Sequence, residues 1–126
     1  MVSKTIEIRK IITKALKEQN INVYYEEADP KATFPYLVYE LKNSPVYLNR
    51  DDFVLTIDIW DKDKTSERIE IIADNIEKLN NQNKWSDGNT YSTFYLINRM
   101  SIRDEDKQIK RRQLIFEVKS YYIGEW

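Results

Sequence analysis

Three clusters of side chains have the types and spacing from which chemistry could be built. Glu117-Val118-Lys119, eleven residues after Asp106, offers the carboxylates and the lysine of a magnesium-dependent nuclease, where carboxylates hold the metal and a lysine assists the attacking water. Asp104-Glu105-Asp106 presents oxygen donors to a calcium ion, but neither EF-hand spacing nor a glycine follows it. Lys110-Arg111-Arg112 is the densest basic run, and with Arg99 and Arg103 on a neighbouring strand it could gather positive charge at one end of a hairpin, where phosphates would bind. Each cluster also has a plainer reading. Strand alternation turns Glu117 and Lys119 to solvent while Phe116 and Val118 turn inward, and it leaves Asp106 in a turn. The same alternation separates Arg111 from Lys110 and Arg112, and the acidic turn beside them would neutralise several of these charges. Tyr91, Tyr95, Tyr121 and Tyr122 could stack bases, yet tyrosine equally suits half-buried strands and protein interfaces. The plainer readings are preferred: no catalytic residue, metal ligand or cofactor is assigned. A nucleic-acid-binding module is kept as the alternative, with a metal-dependent nuclease the least favoured.

Composition narrows the chemistry further. The 126 residues include no cysteine and no histidine, which excludes disulfides, thiolate nucleophiles, Cys/His zinc sites and His-based triads. Two glycines, Gly88 and Gly124, cannot furnish a phosphate-binding glycine loop or a nucleophile elbow. A net charge of −1, spread evenly over the two halves, supplies no bulk attraction for nucleic acid or an anionic membrane. No apolar run approaches the roughly 20 residues of a membrane span, and the start lacks the apolar core of a signal peptide. A soluble intracellular protein is the expectation.

The elements that must position these side chains follow from hydrophobic period. Ile8, Ile11, Ile12, Ala15 and Leu16 recur at helical spacing and predict a helix over about residues 4 to 19, entered after Ser3 and left near Asn20. Val23, Tyr24 and Tyr25 predict a short strand, followed by a loop through Pro30. Tyr36 to Lys42 alternates after Phe34-Pro35 and stops near Asn43-Ser44-Pro45. The clearest strand runs from Asp52 to Asp61, with Phe53, Leu55, Ile57 and Ile59 on one face and Val54, Thr56, Asp58 and Trp60 on the other. Asp61, Asp63, Thr65 and Ser66 carry helix-starting chemistry ahead of a second helix over about 65 to 80, whose stripe is Ile69, Ile72, Ala73, Ile76 and Leu79. After a polar loop from Asn81 to Thr90, two long strands, 91 to 103 and 109 to 122, flank the turn 104 to 108. The expected architecture is one domain over residues 1 to 126: an α+β fold with two helices, a mainly antiparallel sheet and the order αβββαββ.

A mean hydropathy of −0.68 with nine tyrosines suggests a thin core bordered by amphipathic aromatics, which suits a small subunit that completes its burial against neighbours. Phe34-Pro35-Tyr36-Leu37-Val38-Tyr39, then Leu55-Thr56-Ile57-Asp58-Ile59-Trp60-Asp61 running into an amphipathic helix, resembles the tail terminator family of long-tailed bacteriophages, also called tail-completion or head-to-tail joining proteins. Arg99 to Asp106 and Arg111 to Val118 resemble that family's final hairpin. The resemblance implies a non-catalytic virion subunit without cofactor that forms a homo-oligomeric, six-membered ring on the tail tube, halts tube growth and offers a surface to the head–tail connector. Its implied partners are its own copies, the tail tube protein and the connector, with at most transient contact to DNA in the lumen and none to membrane. The implied location is the head-proximal end of the virion tail, reached from the bacterial host cytoplasm during assembly. The elements it points to for contact are the loop 30 to 35, the segment 43 to 52 and the hairpin turn 103 to 110, with Phe34, Pro35, Tyr47, Arg50, Asp51, Arg103, Asp106 and Lys110 as candidate subunit or tube contacts.

Overall fold

The structure, a computed structural model, describes residues 4–46, 50–82, 85–87 and 90–122. The first apolar stripe forms helix α1, Lys4–Lys17, and Asn20 ends it with a left-handed φ of 57°, a conformation asparagine tolerates better than most residues. Strands β1 (Asn22–Tyr25), β2 (Tyr36–Val46) and β3 (Arg50–Lys62) follow. Then come α2 (Glu67–Glu77), a short α3 (Leu79–Gln82), and strands β4 (Trp85–Asp87), β5 (Thr90–Ile102) and β6 (Ile109–Tyr122). The expected α+β order αβββαββ is present; the second helix is divided, with α3 spanning its expected end near residue 80, and β4 is added inside the stretch read as a polar loop. β2 also runs on past the expected stop at Asn43 to Val46, where its register against β3 shifts.

One six-stranded sheet has the spatial order β1-β2-β3-β6-β5-β4. β1 lies parallel to β2, and the other described pairings are antiparallel. β3 and β6 occupy the centre, paired from Arg50↔Tyr121 to Lys62↔Ile109. Period two then sorts the side chains. Phe53, Leu55, Ile57 and Ile59 of β3 join Leu114, Phe116 and Val118 of β6 and Leu37, Tyr39 and Phe94 on one face, all buried. Over that face lie Ile8, Ile11, Ile12, Ala15 and Leu16 of α1 and Ile69, Ile72, Ala73 and Ile76 of α2, in one apolar cluster. The Tyr39 hydroxyl ties the layers by donating to the Arg9 carbonyl at 3.3 Å while meeting the Thr13 hydroxyl at 2.6 Å. Val54, Thr56, Asp58 and Trp60 occupy the other face, half-buried, with no helix over them among the described residues.

Candidate interaction surface

The sheet has two ends, and they separate the expected contact residues. At one end β2 begins, β3 and β5 finish and β6 starts. Phe34, 38% exposed, lies there with its ring 5.5 Å from Tyr36, after which the cis Phe34-Pro35 bond leads into β2. Arg103 and Asp106 are exposed in the adjoining turn, where the Asp106 carboxylate accepts the Gln108 N–H at 2.9 Å. Half-buried Lys110 donates from Nζ to the Lys107 carbonyl at 2.6 Å. Arg50 stands at the opposite end of β3, twelve residue steps from Lys62 and so roughly 40 Å away at about 3.3 Å per residue. There it pairs with Asp52 at 3.0 Å and lies 5.9 Å from the Tyr121 ring. Asp51 requires a correction: it shares the parity of Phe53, so it turns toward the helix layer and is only 4% exposed, which withdraws it from the surface. Tyr47 lies outside the described residues. Phe34, Pro35, Arg103, Asp106 and Lys110 are thus brought to one end, and Arg50 to the other.

Between these residues runs a ladder that sequence reasoning missed. On the helix-free face Tyr36, Trp60 and Arg111 are direct cross-strand neighbours. Tyr36 stacks on Trp60 with 6.2 Å between centroids and 12° between planes, and the Arg111 guanidinium sits 3.7 Å over the Trp60 ring. Tyr24 completes the row with an edge contact to Tyr36 at 6.1 Å. Burial raises the Tyr36 phenol above its ordinary pKa; Arg111 opposes that shift and Tyr24 adds to it. The face parity of each residue was readable, but the register that sets the three side by side was not.

The basic run is divided by the fold. Arg111 is taken by the indole. Arg112, on the helix side, pairs with Glu70 of α2. Arg99 reaches the same side because a bulge between Leu96 and Asn98 reverses the alternation of β5. It bridges Glu70, Asp74 and Glu77 at 2.9, 2.7 and 2.7 Å, a row spaced along one face of α2. Burial works against the charge on Arg99, but its bonds to Asp74 and Glu77 outweigh this and raise its pKa. At the start of α2 the Ser66 hydroxyl makes no capping bond. The β3–α2 junction is held instead by Asp61, which is fully buried and accepts from Arg68 Nε at 2.8 Å and from the Lys62 N–H at 2.8 Å.

The residues of the least favoured reading, the nuclease, do not converge. Asp106 sits in the turn, whereas Glu117 lies eight strand steps into β6, roughly 26 Å beyond Ile109 at the usual rise. Glu117 stands 3.9 Å from Lys119, and no three acidic side chains gather to hold a metal ion among the described residues.

No known protein family matches the sequence, and no curated protein matches it. Solved structures do match. A chain from the virion of a native gene transfer agent particle superposes with a TM-score of 0.64 at 12% identity, over 89% of this chain and 92% of the other. A second solved chain, which carries no functional name, gives a TM-score of 0.68 at 12% identity over 99% of both. At such identity the likeness establishes a shared fold, spanning nearly the whole of each chain.

Proposed function

We propose that this chain is a structural subunit of a phage-like virion, that it completes the tail tube as a closed ring of identical copies, and that it presents the surface to which the head connector joins. The observation that carries the proposal is the end-to-end likeness of its fold to a chain of a gene transfer agent virion. The resemblance of Phe34 to Tyr39, Leu55 to Asp61 and the last hairpin to tail terminators supplies the finer role. A sheet roughly 40 Å long, with Phe34, Arg103, Asp106 and Lys110 at one end and Arg50 at the other, offers one end to the tube and the other to the connector. The role needs no chemistry of its own. Of the arginines that could have met phosphate, Arg99 and Arg112 instead hold α2 to the sheet and Arg111 lies on Trp60, which favours assembly over nucleic-acid binding.

Electron microscopy of particles assembled without this protein tests the proposal. The expected result is tails of irregular length and heads left without tails. Tails of normal, uniform length joined to heads would overturn it.

A further inference from the structure

The outward face of α1 has a definite chemical character. Ile6, Arg9, Lys10, Thr13, Lys14 and Lys17 recur at helical spacing and line one shallow groove. Arg9 lies over the Tyr25 ring at 3.7 Å, and Lys10 pairs with Glu7 at 3.3 Å. Lys14 and Lys17 are exposed and form no ion pair among the described residues. Opposite charge collects at the nearby sheet margin, where Glu26, Glu27 and Glu40 line a second concavity with Tyr25, Leu41 and Lys42. Glu27 and Glu40 are likewise exposed and form no ion pair among the described residues.

The chain's net charge of −1 therefore hides a strong local separation. Residues 4 to 17 hold five cations against Glu7, and residues 18 to 40 hold five carboxylates against Lys31. On the helix itself Lys10, Lys14 and Lys17 stand three and four residues apart on one face and repel one another. A complementary surface brought against them would offset that repulsion, and the same chain carries one.

We propose that the basic face of α1 docks on the Glu26, Glu27 and Glu40 margin of a second copy of this chain. Each surface adds an apolar contribution to the charge, Ile6 at 49% exposure on the helix and partly buried Leu41 at the margin. The contact joins unlike patches, so it can repeat from copy to copy. It concerns self-contact alone and does not rest on the tail reading: self-association with normal tails in particles lacking the protein would sink that reading and leave this one standing.

Sedimentation of the purified protein at low and high salt, about 0.05 M and 0.5 M, is the test. The wild type is expected to self-associate at low salt and to weaken at high salt. Two double variants, Lys14→Glu/Lys17→Glu and Glu27→Lys/Glu40→Lys, are each expected to lose at least about tenfold in affinity, because like charges then face one another. An equimolar mixture of the two is expected to recover the association, since each supplies the surface the other has reversed. Thermal melts confirm that the variants fold. That check matters because Lys14 and Lys17 occupy the last turn of α1, where cations favour the helix dipole. If the glutamate pair fails to fold, Lys14→Gln/Lys17→Gln reads the same loss without the repulsion. A wild type that stays monomeric at about 1 mM, folded variants that associate like it, or a mixture no tighter than its components would overturn the proposal.

Discussion

Asp61 is fully buried and Arg68, which holds it, is 49% exposed, so the two partners of this pair should differ when removed. Deleting the arginine side chain strands a buried carboxylate. Replacing the carboxylate with a carboxamide frees an arginine that water can reach, and the amide oxygen would still accept the Lys62 N–H. Arg68→Ala should therefore cost about 2–4 kcal/mol, moderated by solvent around the guanidinium, against about 1–2 kcal/mol for Asp61→Asn, as read from denaturant melts. Tyr36 gives a pH dependence. Its folded pKa is raised by burial above the ordinary value of 10.0, with Arg111 opposing and Tyr24 reinforcing, so the neutral phenol is favoured in the folded state. That contribution is complete below the unfolded pKa and disappears as pH climbs through the folded one. Unfolding free energy should fall above about pH 10, and Tyr36→Phe should make the fall shallower; an unchanged slope would remove Tyr36 as a cause. At this scale the sequence disclosed parity and little more. Asp61 and Ser66 both look like helix-starting residues, and only the folded chain shows that the first clamps Arg68 while the second makes no capping bond.

At the scale of elements, β3 offers a direct comparison of the two faces of the sheet. Ile57 is fully buried in the core that the sheet shares with the helices, so Ile57→Ala should destabilise by about 2–5 kcal/mol. Thr56, on the half-buried face, should cost under about 1 kcal/mol when changed to alanine. Equal losses would mean that the helix-free face is as tightly packed as the other. Most elements were legible because their periods are strong: Ile8 to Leu16 and Ile69 to Ile76 at helical spacing, Phe53 to Ile59 in strict alternation. Three features were not. β4 is three residues long, too short to display a period. The bulge at Ile97 breaks the alternation of β5, and it places Arg99 under α2 where a simple strand would have left it beside the open ladder. The pairing of β2 past Pro45 depends on β3 and on no local pattern. Asn80, at the expected end of the second helix, accepts the Leu96 N–H at 2.7 Å and so joins α3 to the β5 edge, a role set by tertiary contact.

At the scale of the molecule, the helices cover one face of a long sheet and leave the other as a half-buried surface of aromatic and charged residues. Such a layer carries its own core and leaves its ends, its margin and, among the described residues, its open face at the surface. The division of the candidate contacts between two ends follows from antiparallel pairing, which places the Arg50 end and the hairpin end at opposite limits of β3 and β6. Neither end is recognisable from the sequence without that register, which is why Arg50 and Asp51, adjacent in the chain, part company on folding. The account as a whole stands on these surfaces meeting a tube. Cryo-electron microscopy of purified tail tubes incubated with the protein measures this most directly. The account predicts a single ring of six copies confined to the head-proximal end, with its lumen continuous with that of the tube. Tubes that stay bare, or protein bound along their length, would contradict it.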